Sequence, residues 1–269
     1  MSSKEKLPSS RVAAAGPSQQ PKIMTTIVRR ALITGSTSGI GRAIAEALAA
    51  RGAHVLIAGR NTQRGEQVVA AIRSARGQAQ FVSADLSSAR SVAELATQSD
   101  KLLGGVDILV NNAGIFSFGP TAETHEDAFQ SMYAVNVRAP YFLTAKLAPG
   151  MANRRWGRIV NITTMVAYLG MPGAALYGSS KAALQLLTQA WAAEFGPNGV
   201  TVNAVAPGPI RTPGTEGMGE ALEQLGKTVP AGRVGTPAEV AAAVAFLVSE
   251  EAAYVNGATV SVDGGRAAV

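Results

Sequence analysis

Seven short apolar runs recur between amphipathic stretches along most of the chain, and this alternation limits the possible fold more than any other feature. The runs are "IVRRALIT", "HVLIAG", "AQFVSA", "VDILVNN", "GRIVNIT", "VTVNAVA" and "ATVSVD". Helical patterns begin near Ile40, Thr62, Ser88, Glu123, Leu176 and Pro237. Strand-sized runs that alternate with helices argue for parallel strands joined by helical crossovers. Near-continuous Val, Ile and Ala within the runs is the pattern of strands covered on both faces. The expectation is an α/β fold, a doubly wound parallel sheet of seven strands with helices on both faces. No repeat or linker interrupts residues 26–269, so a single domain is expected there. A chain of 269 residues, 47% of them hydrophobic, is long enough to bury a sizeable core.

Residues 1–25 lack this periodicity and are rich in Ser, Pro, Gln and Ala. They read as a disordered extension, with Met24, just before the first strand pattern, as an alternative start. The formal net charge of +6 is misleading, because six of the 24 basic residues and one of the 18 acidic ones lie in the first 30 positions. The remainder is nearly neutral, which argues against a nucleic-acid partner. No run is long and apolar enough for a membrane span, and the N-terminus lacks the apolar core of a secretory signal. There is no cysteine, which excludes disulfides, thiolate metal sites and a cysteine nucleophile and is compatible with a reducing, cytoplasmic setting. The two histidines, His54 and His125, sit in no metal-binding or hydrolase motif and read as surface residues.

The first stretch that carries chemistry is "ALITGSTSGIGRAIAEALAARG". A strand ends at Thr34, and Gly35, Gly39 and Gly41 precede a helix. Glycine permits a tight turn and close backbone approach, and a helix N-terminus offers free N–H groups to a pyrophosphate. The spacing is G-x-x-x-G-x-G rather than the general G-x-G-x-x-G fingerprint. The second strand ends in "IAGRN", where NAD-binding folds usually carry an acid for the ribose 2′-hydroxyl. Here the position is Gly59, followed by Arg60. A glycine removes the charge that repels a 2′-phosphate, and an arginine can bond that phosphate, so NADP is favoured over NAD.

In "ALYGSSKAALQLLTQAWAAEF", Tyr177 and Lys181 lie four residues apart and share one helix face. A neighbouring cation favours the phenolate, so such a pair can pass a proton during carbonyl reduction or alcohol oxidation. Upstream, "NITTMVAYLG" runs from a strand into a loop and offers two hydroxyls, Thr163 and Thr164.

Taken together, the glycine loop, "NNAG" at Asn111–Gly114, Asn136, the threonines, Tyr177 with Lys181, and "PGPIRT" at Pro207–Thr212 come in an order that resembles the short-chain dehydrogenase/reductase family. The similarity runs from about residue 26 to the C-terminus, including "YVNGATVSVDGG". It implies a Rossmann-type domain and a hydride transfer between a nicotinamide cofactor and a ketone or secondary alcohol. By resemblance, Tyr177 is the acid/base, and Lys181 lowers its pKa and bonds the nicotinamide ribose. Asn136 kinks a helix and holds a water in the proton relay. Gly35, Ser36, Thr37, Ser38, Gly39, Ile40 and Gly41 hold the pyrophosphate. Asp85 and Leu86 flank the adenine, and Asn112, Ala113 and Gly114 form the floor under the cofactor. Pro207, Gly208, Ile210 and Thr212 close the nicotinamide end, with Ile210 and Thr212 facing its amide. The family commonly forms homotetramers.

The family's usual serine lies 13 residues before the tyrosine, and counting back from Tyr177 gives Thr164. Threonine keeps the hydroxyl and adds a methyl with a stiffer χ1. Adjacent strand residues point to opposite faces, so Thr163 should face away. Met165, Tyr168, Leu169, Met171, Leu176 and Pro209 make a candidate apolar pocket, and the segment from Thr212 to Val240 is the expected lid. The chain also resembles bacterial 3-oxoacyl-ACP reductases in "NRRWGRIVNI", "VPAGRVGTPAEVA" and "EEAAYVNG". That likeness implies two arginines for an acidic carrier protein; the first falls on Arg155 and the second on Asn198, so a reductase of fatty-acid synthesis is an alternative. A non-catalytic cofactor sensor is a further alternative, weakened by the presence of both Tyr177 and Lys181.

Overall fold

The computed structural model describes residues 28–269. The expected disordered extension at 1–25 lies outside these residues. The strands are β1 (Arg30–Thr34), β2 (His54–Gly59), β3 (Gln78–Ser83), β4 (Ile108–Asn111), β5 (Gly157–Ile162), β6 (Val200–Pro207) and β7 (Thr259–Val262). All pair in parallel, in the order β3-β2-β1-β4-β5-β6-β7. The chain therefore winds outward from β1 in one direction and then from β4 in the other. The crevice between the carboxyl ends of β1 and β4 is the switch point at which such sheets bind ligands.

Period-two alternation divides the strand side chains between two cores. Ala31, Ile33, Val55, Ile57, Ile108, Val110 and Val160 face one side. There they meet α1 (Gly39–Ala50), α2 (Thr62–Ser74) and α8 (Pro237–Leu247) through Ile44, Leu48, Val68, Ile72, Val240 and Val244. Leu32, Leu56, Leu109, Ile159 and Val202 face the other side. They pack on α3 (Ala89–Leu103), α5 (Ala139–Asn153) and α6 (Ala175–Phe195) through Leu95, Leu143, Leu147, Leu184 and Trp191. The doubly wound sheet read from the sequence is the sheet observed.

The helices differ from the sequence reading in two places. The pattern predicts one helix from near Glu123, and the structure has α4 (Glu126–Tyr133) and α5 joined by a single π-helical stretch, Ala134–Arg138. A further helix, α7 (Glu220–Lys227), lies inside the expected lid. With only eight residues, of which Leu222 and Gly226 are buried, it is too short to stand out as a separate helical pattern.

The amino ends of the strands are pinned by one carboxylate. Asp107, just before β4, accepts from the Arg30 backbone at 3.2 Å and from two of its guanidinium nitrogens at 2.7 Å each. Arg154 approaches the same carboxylate at 3.3 Å. Burial pushes the Asp107 pKa up, but the bonds and charges of Arg30 and Arg154 outweigh it and hold the group below the usual carboxylate range. A depressed carboxylate pKa stabilises the fold at pH values above the unfolded pKa and loses that contribution as pH falls through the folded one. Asp107→Ala is expected to cost about 2–3 kcal/mol at pH 7, less than for a fully buried pair because both arginines reach water. Urea denaturation checks this, and the gap between the proteins should close as pH is lowered below about 4.

Candidate active site

At the switch point the β1–α1 turn and the segment after β4 are in direct contact. Gly35 has φ +63°, and a Cβ there would lie 2.8 Å from Ala113 Cα. A Cβ on Gly41 would strike the Gly35 carbonyl and the Asn112 amide. The Asn112 side chain donates to the carbonyls of Thr34 (2.8 Å) and Gly35 (3.0 Å). The Thr34 hydroxyl accepts from the backbone of Asn112 and Ala113, at 3.1 Å each. The glycine spacing is thus set first by packing, which clears the mouth of α1. Ser38, at the N-cap, makes no side-chain cap bond, and the first turn of α1 has no acidic residue. Its leading N–H groups are therefore suited to an anion.

A cavity of about 470 Å³ opens from this turn. Its walls include Gly35, Thr37, Ser38, Gly59, Arg60, Arg64, Asp85, Leu86 and the run Asn112–Ile115. Ser36 differs from its neighbours. Its fully buried hydroxyl donates to the Ile33 carbonyl and accepts from the Ala58 N–H, so it stitches β1 to β2 rather than facing the cavity. Gly59 packs closely on Thr37, since a Cβ would lie 2.9 Å from Thr37 Cγ2 and need that methyl to shift. Asp85 accepts from the backbone and hydroxyl of Ser87, which holds its pKa below the ordinary value, with a smaller contribution from Arg60. Arg64, which sequence reasoning missed, lines the same cavity. Its position in the first turn of α2, next to the Asn61 cap, is the signal that could have found it.

Asn112, Gly114 and Ile115 also border a second cavity of about 180 Å³, which holds Thr164, Tyr177, Lys181, Pro207, Gly208, Ile40, Ile210 and Thr212. Lys181 is 3% exposed and donates to the Ile162 carbonyl at 2.8 Å. Desolvation lowers its pKa to about 8. Gly114 makes room for it, because a Cβ there would lie 3.0 Å from Lys181 Nζ. Burial pushes the Tyr177 phenol up, and the Thr164 hydroxyl beside it pulls weakly the other way. The four-residue spacing predicts a phenol drawn down by Lys181. In the folded protein desolvation prevails, and the ammonium is held to a backbone carbonyl.

The two threonines differ in their bonding. Both border the cavity, but the buried Thr163 hydroxyl donates to the Val205 carbonyl at 3.1 Å, whereas Thr164 Oγ1 lies beside Tyr177 and accepts a long 3.4 Å bond from the Val166 N–H. Asn136 is fully buried in the π-helical stretch. Its Oδ1 accepts from the Ile115 N–H, and its Nδ2 donates to the Ile115 carbonyl and to Ser180 Oγ, at 2.9, 2.9 and 3.0 Å. It supports the site from behind rather than lining it. Four of the nominated apolar residues border neighbouring cavities. Tyr168, Leu169 and Met171 line a separate groove, Pro209 another cavity, and Phe116 is the aromatic residue at the wall with Tyr177.

The family model described as enoyl-(acyl carrier protein) reductase matches residues 35–267. A solved structure described as a short chain dehydrogenase/reductase family protein is 50% identical, covers 90% of this chain and 98% of its own, and superposes with a TM-score of 0.83. The chain belongs to the short-chain dehydrogenase/reductase family. Curated members include a 3-oxoacyl-[acyl-carrier-protein] reductase from Aquifex aeolicus, 40% identical over 87% of this chain and 95% of that protein. A cyclopentanol dehydrogenase from Comamonas testosteroni is 37% identical over 88% and 96%. This short-chain dehydrogenase/reductase is an NAD(P)-dependent oxidoreductase of a family that acts on carbonyl and alcohol groups. Among the described residues no helix is long and apolar enough to cross a membrane and no group of side chains is arranged to hold a metal ion.

Because the Lys181 pKa is lower folded than unfolded, the folded enzyme binds fewer protons between about 8 and 10.5, and stability rises with pH across that window. Relative to Lys181→Met, the wild type should gain up to about 3 kcal/mol as pH rises through it. Paired denaturant titrations near the two ends of that window, at about pH 7.5 and about pH 10, measure the difference.

Proposed function

We propose that the chain reduces a ketone, or oxidises the corresponding secondary alcohol, with NADP preferred over NAD and Tyr177 as the acid/base. The observation that carries this reading is the single small cavity in which a buried ammonium, a phenol and a free hydroxyl converge, continuous with a larger cleft bearing two arginines. The larger cleft fits a dinucleotide: Thr37, Ser38 and the α1 amides for the pyrophosphate, Asp85 and Leu86 at the adenine, Arg60 and Arg64 for a 2′-phosphate. A bound nicotinamide supplies the hydride donor or acceptor. In reduction, the Tyr177 hydroxyl gives its proton to the substrate oxygen as that oxygen gains charge, and Thr164 donates a hydrogen bond to the same oxygen. Lys181 stabilises the phenolate left behind. Asn136 positions the strand-to-loop junction at Ile115 and the Tyr177 turn of α6 through Ser180. Ile210 and Thr212 close the nicotinamide end.

The elevated Tyr177 pKa keeps the phenol protonated at neutral pH, which suits reduction. The kcat/KM for reduction should be flat through neutral pH and fall in alkali, while that for alcohol oxidation should climb with pH. A neutral optimum for oxidation would contradict the assignment. Tyr177→Phe and Thr164→Ala should each lose on the order of a hundredfold or more in kcat/KM, the usual size of such contributions. Thr163→Ala should act on stability instead. Arg60→Ala with Arg64→Ala should weaken NADPH binding about tenfold or more and leave NADH binding little changed, as titration calorimetry would show.

A second reading, 3-oxoacyl-ACP reduction, draws support from the Aquifex relative. Arg155 reaches Asn198 at 3.4 Å, so the expected docking surface carries one arginine and one amide. Comparing turnover of acetoacetyl thioesters with simple ketones separates the readings. The same proposal includes a cytoplasmic homotetramer, consistent with Tyr141 and Phe142 on α5 and Leu186 on α6, each 45–67% exposed. Light scattering measures the assembly.

A further inference from the structure

We infer that Phe116 and Phe118 form an aromatic wall that selects carbonyl substrates carrying an aryl group next to the reacting carbon; the inference rests on the reductase reading of this site. The two rings lie 6.1 Å and 5.9 Å from the Tyr177 ring, both edge-on at 62° and 79°, and 5.9 Å from each other. Three rings thus close a triangle at the acid/base. In an extended segment, residues two apart project to one side, and Phe116 and Phe118 share that spacing across Ser117.

The segment is held at both ends. Both backbone groups of Ile115 are bonded to Asn136, and the Gly119 N–H donates to the Gly173 carbonyl at 2.9 Å. Between these anchors the two phenylalanines are 44% and 48% exposed beside the half-buried Tyr177. Large apolar side chains fixed in water next to a reactive group are poised for an apolar ligand. Aliphatic and aryl groups both cover such area, but only an aryl ring gains the additional edge-to-face attraction of the ring quadrupoles. Two such contacts amount to about a tenfold preference or more.

The test compares acetophenone with cyclohexyl methyl ketone, which matches its bulk and lacks its π-face. Two readouts are used: the kcat/KM ratio with NADPH, and binding to NADP-loaded Tyr177→Phe by saturation-transfer NMR, which needs no turnover. The wild type is expected to favour acetophenone about tenfold in both, and Phe116→Leu/Phe118→Leu, made in either background, should bring each ratio close to one. Circular dichroism and NADPH binding establish that the variants are folded. Turnover with equal ratios in wild type and double variant would overturn the wall and leave the reductase reading standing. Absent turnover of every carbonyl, with aryl-selective binding lost in the double variant, would overturn the reductase reading and retain the wall. Burial of both rings against a second copy of the chain would also overturn it, and would show as resistance of both ketones to binding.

Discussion

The contact between the β1–α1 turn and the chain leaving β4 is the constraint on which the rest of the site depends. Asn112 donates to two successive carbonyls of the turn, and the Thr34 hydroxyl returns bonds to the backbone of Asn112 and Ala113. The two halves of the doubly wound sheet also meet there through the short β1–β4 pairing. This knot fixes the separation of the two halves and so the width of the crevice. It also starts the 112–119 segment in a defined direction, from which Gly114 backs onto Lys181 and Ile115 onto Asn136. Glycine at 35 and 41 is therefore a condition for closing the knot as much as for receiving a ligand.

The candidate catalytic groups show how a fold holds ionisable side chains at an energetic disadvantage. Lys181 and Tyr177 both resist charging because they are buried, yet neither is left without a partner. The sheet and α6 are stiff enough to keep them there. Behind them, the Asn111 amide bonds Asn161, whose amide bonds Thr188, which bonds the Leu184 carbonyl, so polar groups tie β4, β5 and α6 together beneath the site. Buried polar chains help a core specify one arrangement, although Asn111 Oδ1, at the start of this one, has no partner among the described residues.

Much of this was legible in the sequence because it rests on period and spacing. The strands could be read from runs such as "HVLIAG", whereas Thr163 and Thr164 both reach the cavity and differ through the bond that engages Thr163 with Val205. Less legible were features created by contacts between distant segments. The inward turn of Ser36 depends on Ala58, and the raised Tyr177 pKa depends on how completely α6 and its loops exclude water, which no four-residue spacing encodes. The aromatic wall beside Tyr177 was missed for the same reason. Nearness to Tyr177 along the chain favoured Tyr168 and Met171, whereas nearness in space belongs to Phe116, brought in from the end of β4.

Gly59 shows how packing can couple two positions during evolution. Its α-carbon faces Thr37 so closely that any side chain at 59 needs Thr37 to shrink or move. An acid at the end of β2 is the usual means of favouring the unphosphorylated ribose. An acid introduced here needs the Thr37 methyl to give way, so the two positions are coupled. A lineage, or a protein engineer, that replaced Gly59 would have to accommodate residue 37 at the same time.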